Sequence, residues 1–148
     1  MANYAENRKA HFNYEILEKY EAGIELFGSE VKSVRGGQMS LEGAFIIVRG
    51  GEAYLINSNI PPYQPKNAPK DYDPLRNRKL LLTKKEIAEL AGSEKNKSLT
   101  IVPILVYNKN RKIKIGIALV KGKKKFDKRE TLKKRDTERE IRREYQGR

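Results

Sequence analysis

The strongest constraint on the fold is a two-residue alternation of side-chain character between residues 112 and 119. Its apolar members are Ile113, Ile115, Ile117 and Leu119, and its polar or small members are Lys112, Lys114, Gly116 and Ala118. Successive side chains of a β-strand point to opposite sides of a sheet, so this is the period of a strand with one buried face. The sequence therefore predicts a strand here that packs its isoleucines against a core.

The residues before this strand predict its hairpin partner. Residues 99–107 are rich in β-branched and aliphatic side chains, and a polar turn at residues 108–110 separates the two segments. Pro103 lies within the run and indicates a sheet edge or a β-bulge, because proline has no backbone N–H to donate.

Glycines in the first half of the chain mark another hairpin. It is predicted over residues 44–56, because Gly50 and Gly51 at its centre can adopt the positive φ angles of a tight turn. A further strand is predicted over residues 14–26.

Two helices are predicted among these strands. One begins at the capping-box pattern of residues 83–86 and is expected to stop at Gly92, which permits a left-handed end. A shorter helix is predicted over residues 29–35, with Ser29 as its N-cap and the glycines 36–37 as its stop.

Short, closely spaced strands with inserted helices favour a closed or nearly closed β-barrel. The OB type is the leading candidate, because it readily hosts nucleic acid. Five prolines between residues 61 and 74 predict an irregular surface loop. The predicted fold class is therefore mainly β with short helices.

The charge of the chain is large and unevenly distributed. Lys and Arg number 32 against 19 Asp and Glu, a formal net charge of +13, so a polyanion is the natural partner, with RNA, DNA and anionic membrane surfaces all possible. Residues 121–148 carry +7 of this charge and few apolar side chains, so they cannot build a core. We expect a folded domain over residues 1–120 and a basic tail over residues 121–148, disordered alone and helical inside an anionic channel. From composition alone, the alternative is a charged tail that is merely solvated.

Several function classes are disfavoured. The chain has no cysteine and one histidine, His11, so thiolate and multi-imidazole metal centres are excluded and no metal or cofactor is predicted. No apolar run approaches the ~20 residues of a membrane span, and no secretory leader is recognisable. A cytoplasmic protein without a membrane partner is expected.

One short motif leaves an enzyme as the alternative. Glu30 and Lys32 have the Glu-x-Lys spacing of some metal-dependent nucleases. Such sites need a preceding aspartate, and the first aspartate of this chain is Asp71. The motif is incomplete, so we predict a protein without catalysis of its own.

Sequence blocks spread in order over almost the whole chain carry a family resemblance. They occupy residues 7–10, 21–24, 28–35, 51–53, 73–74, 76–82, 122–124, 127–129, 133 and 135–136. Together they resemble the SmpB family, the SsrA-binding proteins that partner transfer-messenger RNA (tmRNA) in bacterial ribosome rescue. One departure is Tyr72, where many relatives carry histidine before Asp-Pro.

The resemblance implies an OB-type barrel, expected to be a monomer, that binds the tRNA-like domain of tmRNA and accompanies it to stalled ribosomes for trans-translation. The residues predicted to bind RNA, from the basic clusters and from the resemblance, are Asn7, Arg8, Lys9, Glu30, Lys32, Ser33, Arg35, Arg76, Arg78 and Lys79. Exposed Tyr63 or Tyr72 could stack on unpaired bases, but tyrosine is more often a core or rim residue, so stacking is assigned to none of the tyrosines. A ribosomal or initiation-factor-like OB protein that prefers ribosomal RNA is the rival binding module.

Glu30 needs a physical reason on such a surface, since a carboxylate repels phosphate. It can accept hydrogen bonds from base amino or imino groups or orient Lys32 and Arg35, and the alternative is a helix-start charge favoured by the local dipole.

The resemblance also implies that the tail enters the decoding site and the vacant mRNA channel as a helix. The tail residues implied are Lys123, Lys124, Asp127, Lys128, Arg129, Lys133 and Arg135.

Overall fold

A computed structural model describes residues 3–122 of the chain. The elements in chain order are β1 Asn3–Glu6, α1 Arg8–Asn13, β2 Tyr14–Ile24, α2 Gly28–Arg35, β3 Phe45–Arg49, β4 Glu52–Ile56, a 3-10 turn Pro65–Asn67, β5 Arg78–Leu81, α3 Lys84–Glu94, β6 Leu99–Lys109 and β7 Lys112–Gly122. Within this range no helix is long and apolar enough to cross a membrane. The predictions for the tail residues 123–148 lie outside the described residues.

The strands form one antiparallel sheet in the order β1-β6-β7-β2-β5-β4-β3. The sheet curls so that β3 packs near β6, and the enclosed side chains form one apolar core that includes Leu55, Leu80, Ile115 and Ile117. This confirms the predicted class, a mainly β barrel with short helices.

Strand β7, predicted from the alternating residues 112–119, is buried on both faces near its end. Ile115, Ile117 and Leu119 face the barrel core as predicted. Ala118 and Val120, on the opposite face, pack with Ala10 of α1 in a second apolar cluster. Strand β7 also runs past the predicted boundary at residue 120 to Gly122.

Both hairpins are present, and one turn lies later than predicted. In the β3–β4 hairpin, Gly50 and Gly51 have φ angles of 60° and 74° as expected. The β6–β7 turn is at Asn110 and Arg111, with φ angles of 52° and 66°, because the strands remain paired as far as Lys109. The predicted bulge is confirmed, since the register of β6 shifts between Pro103 and Leu105.

Helix α3 begins as predicted and ends later. Thr83 caps it by accepting a hydrogen bond from the Glu86 backbone N–H, at 3.2 Å. The predicted stop at Gly92 is wrong: the helix continues to Glu94, whose carboxylate accepts a hydrogen bond from the Val48 backbone N–H at 2.8 Å and thereby anchors the last turn to β3.

Helix α2 begins one residue before the predicted N-cap. The cap is Phe27 and not Ser29, because the Glu30 side chain reaches back and accepts a hydrogen bond from the Phe27 backbone N–H at 2.8 Å. The helix ends at the two glycines as expected, with Gly37 at φ 76°. Strands β1 and β5 and helix α1 were not predicted.

Candidate nucleic-acid interface

Three of the residues predicted to bind RNA form a buried ionic cluster beneath α2. The Glu30 side chain has no exposed surface, and it lies between Arg76, in the loop before β5, and Arg78, in β5. Its Oε1 accepts a hydrogen bond from Arg76 Nη2 at 2.5 Å, and its Oε2 accepts one from Arg78 Nη2 at 2.6 Å. Each arginine adds a second contact through Nε, at 3.2 and 3.1 Å.

The remaining polar atoms of this cluster also have partners. Arg78 Nη1 donates to the carbonyl oxygens of Ser58 at 2.8 Å and Pro74 at 3.0 Å. The Tyr72 hydroxyl donates to the Ile60 carbonyl oxygen at 2.7 Å and lies 3.1 Å from Glu30 Oε2. A buried charge is tolerated only when it is paired and hydrogen-bonded, and both conditions are met here.

The pKa of Glu30 follows from these contacts. Burial alone raises the pKa of a carboxyl group, but the hydrogen bonds from Arg76, the Phe27 backbone and Arg78 outweigh it and lower the pKa below its ordinary value. For Tyr72, burial and the neighbouring Glu30 carboxylate raise the pKa of the phenol. Glu30 is therefore held as an anion, fully engaged by protein donors.

Three of the residues predicted to bind RNA are buried. At most 1% of the surface of Glu30, Ser33 and Arg78 is exposed. In this conformation their side chains therefore have no surface that RNA could contact. Ser33 instead donates from Oγ to the Pro61 carbonyl oxygen at 2.7 Å. Glu30 orients Arg76 and Phe27, and not Lys32 and Arg35 as the sequence suggested.

The predicted residues of the first helix lie at a different part of the surface. Arg8 and Lys9 are exposed and pair with Glu6 at 3.6 Å and Glu42 at 2.6 Å. The Asn7 side chain donates to the Pro103 carbonyl oxygen at 2.9 Å, which ties this segment to β6. These residues line a groove of about 730 Å³ with mixed charges.

Lys79 lies on the outside of the sheet, next to β4. Its ammonium group is 2.9 Å from Glu52, and that carboxylate raises the pKa of Lys79. The charge of Lys79 is thus largely matched within the protein.

A second groove is lined by positively charged side chains. It has a volume of about 350 Å³ and lies between α2, the β6–β7 turn and the paired ends of β2 and β5. Its charged lining residues are Arg35, Arg111, Lys112 and Lys114. Among residues 3–122, the side chains that line it include no carboxylate. We call it the basic groove.

The fold fixes the shape of the basic groove at two points. Arg35 Nη2 donates to the Arg111 carbonyl oxygen at 3.1 Å, which ties α2 to the turn. On the other side, Leu81 is 51% exposed and lies against Gly23, where an added Cβ would come within 3.2 Å of the Leu81 Cβ. Glycine at position 23 therefore allows the close packing of the groove floor.

The basic groove was missed by the sequence reasoning, apart from Arg35. Lys112 and Lys114 were noted only as the polar members of an alternating strand. The signal available was the basic run 109–114 around a turn, but its proximity to Arg35 depends on a contact across 76 positions.

The basic groove has the chemistry of a phosphate-binding surface. Four cations around one concave site attract a polyanion and gain affinity by releasing its counterions, while Leu81 and Leu26 add an apolar floor. A nuclease centre fits less well, because the Glu30 carboxylate is neutralised by two arginines and presents no free oxygen to a metal ion. In the described part of the chain, no group of acidic or histidine side chains is arranged to hold one.

Comparisons with known proteins agree with this chemistry. The family model described as "SmpB protein" matches residues 4–147. The SsrA-binding protein of Sulfurihydrogenibium sp. is 54% identical, with 97% of this chain and 93% of the relative covered. The SsrA-binding protein of Persephonella marina is 51% identical over the same shares.

A solved structure matches as well. A chain from the work described as "tmRNA-SmpB: a journey to the center of the bacterial ribosome" is 44% identical, with a TM-score of 0.68 over 86% of this chain and 92% of that chain. The family model, the relatives and the shared fold lead to one conclusion. The chain belongs to the SmpB protein family.

Proposed function

We propose that this protein binds the tRNA-like domain of tmRNA through the basic groove and delivers it to stalled ribosomes in trans-translation, without catalysis of its own. The observation that carries the proposal is the basic groove, where four cations share one concavity without a carboxylate in the described chain. The relatives named SsrA-binding proteins support tmRNA as the polyanion.

The division of roles within the site follows from burial. Exposed Arg35 on α2, with Arg111 and Lys112 on the β6–β7 hairpin, contacts phosphates and sets the position of the RNA. Lys32, which is also exposed on α2, lies outside the lining of the groove. The buried Glu30 cluster holds α2, β5 and the loop before β5 in a fixed arrangement. Recognition then depends on the shape of a folded RNA more than on its base sequence.

The tail has a second role in this proposal. Residues 123–148 reach the decoding site and the vacant mRNA channel, where a phosphate-lined passage compensates their charge and orders them as a helix. Removing residues 123–148 leaves the sheet intact, because β7 ends at Gly122. We expect this truncation to keep RNA affinity and to abolish tagging of stalled chains in a reconstituted translation system. Equal loss of RNA affinity would contradict the division.

The groove is tested by the salt dependence of binding to the tRNA-like domain. Replacing both Lys112 and Lys114 with alanine is expected to weaken binding and to reduce the slope of log affinity against log salt by about 2, since each phosphate contact contributes about 0.9. Lys95→Ala is the matched control, because Lys95 is an exposed lysine just after α3 and outside the groove. An unchanged slope in the double variant would refute the groove as the binding surface.

A further inference from the structure

Phe27 is the most exposed of the large hydrophobic side chains in the described chain, at 55%. It does not lie loosely on the surface. The Arg76 guanidinium lies over its ring, with Arg76 Cζ 3.8 Å from the ring centroid. An exposed aromatic ring stacked on a guanidinium group is a recurring surface for the faces of nucleobases.

One carboxylate, that of Glu30, holds Phe27 and Arg76 in place. Glu30 Oε1 accepts hydrogen bonds from both the Phe27 backbone N–H at 2.8 Å and Arg76 Nη2 at 2.5 Å. Arg76 also donates to the Asn77 carbonyl oxygen at 3.2 Å. The guanidinium has thus lost most of its rotational freedom before any partner arrives, so less ordering cost remains to be paid on binding.

The position of the pair connects it to the basic groove. Leu26, the neighbour of Phe27, lines the groove together with Arg35. Phe27 directly follows Leu26 in the chain, so its Cα lies about 3.8 Å from that of a residue that lines the groove.

We propose that Phe27 and Arg76 form a stacking platform for one unpaired base of the bound RNA. This inference rests on the proposed RNA-binding function and assigns a direct contact to Phe27, a residue outside the basic clusters. Phe27 and Arg76 contribute planar surfaces, and Glu30 is the positioning residue that fixes both. Stacking needs only the π face that every base presents, so the platform adds affinity with little sequence preference.

The cation on the ring and the cations of α2 favour RNA over an apolar protein surface. Lys32 and Arg35 follow Phe27 on α2 and are both exposed. Arg76 lies on the ring itself and keeps 25% of its side-chain surface exposed. A hydrophobic protein patch would have to desolvate these cations, whereas a nucleotide offers a phosphate as well as a flat ring.

The test uses three variants of the full chain binding the tRNA-like domain of tmRNA. Phe27→Ala is expected to weaken binding by about fivefold to a hundredfold, the usual value of one stacked base. Phe27→Leu keeps apolar bulk without a π face and should lose most of the same affinity, while Phe27→Trp should keep it. The salt slope should remain that of the parent in all three, since no cation is removed.

The same tryptophan reports the contact directly. The chain has no natural tryptophan, so the Phe27→Trp variant has a single emitting indole, which a stacked base quenches. Leu17→Trp is the matched control, because Leu17 is 47% exposed on β2 and lines neither the groove nor the platform. Quenching of the first and not of the second supports the platform.

Two outcomes would overturn the inference while leaving the proposed function standing. One is parent-like affinity of Phe27→Ala, within about twofold, when the parent binds normally. The other is unchanged emission of Phe27→Trp on saturation with RNA. If the parent chain itself does not bind the RNA, the proposed function is refuted, and so is the platform that rests on it.

Discussion

Replacing Glu30 with glutamine removes the one negative charge that two arginines share under α2. The larger effect falls on Arg78, whose side chain is fully buried. Arg76 keeps a quarter of its side-chain surface exposed and can turn toward solvent. Arg78 would keep its bonds to Ser58 and Pro74 but would remain as an uncompensated buried cation.

The size of the loss follows from that asymmetry. Breaking a buried ion pair from one side costs about 3–5 kcal/mol. For a folded region of the size described here, that corresponds to a fall in Tm of roughly 10–25 °C. The double variant Glu30→Gln with Arg78→Met should recover part of the loss, because it removes both charges from the interior.

The assay is urea unfolding followed by circular dichroism, combined with RNA binding measured where each variant is still folded. We expect Glu30→Gln to lower the free energy of unfolding. RNA affinity should fall only to the extent that Phe27 and Arg76 lose their support. A variant that unfolds like the parent, within about 0.5 kcal/mol, yet binds RNA more than about tenfold more weakly would refute the buried role. Glu30 would then contact the RNA directly, as the sequence had suggested.

Three further outcomes are expected. The pKa of Glu30 is lower in the folded protein than its ordinary value of 4.5, so the stability contributed by its charge is fully present above that value and is lost as the pH falls through the lower folded pKa. The difference in unfolding free energy between the parent and Glu30→Gln should therefore shrink only in that acid range. A difference that is unchanged there would be inconsistent with this pairing. Arg111→Gly should stabilise the chain by about 1 kcal/mol, because residue 111 has a φ of 66° that glycine adopts without strain. The same change should weaken RNA binding and lower its salt slope by about 1, whereas unaltered binding would remove Arg111 from the groove. Thr83→Ala should cost about 1 kcal/mol in urea unfolding through the lost helix cap and leave RNA affinity unchanged.

Local patterns in the sequence were sufficient for the elements whose causes are local. The period of two around Ile115 predicted β7, and Gly50-Gly51 predicted a tight turn that both glycines make at positive φ. Thr83 and Glu86 predicted a helix start that depends only on residues three apart. In each case the sequence signal lies within the segment itself.

Tertiary contacts decided the features that the sequence missed. Gly92 permits a helix to end but does not require it, and the bond from Val48 to Glu94 extends α3 beyond it. Strand β5 is only four residues long, too short for a period to distinguish a strand from the start of a helix.

The candidate site was less predictable than the fold for the same reason. Glu30 reads as an exposed helix-start charge until Arg76 and Arg78, which are 46 and 48 positions away, meet it in the interior. The residue types of the site were recognisable from the sequence, but which of them face solvent depends on contacts between distant segments.

We expect the folded body of this protein to recognise one RNA by its shape. The most direct measurement is binding of the full chain to labelled tmRNA tRNA-like domain in the presence of excess ordinary tRNA or ribosomal RNA. Because shape sets the specificity and charge alone does not, we expect the complex to persist against both competitors and to weaken when Lys112 and Lys114 are replaced. Displacement of the labelled RNA by an equal amount of either competitor would contradict the account.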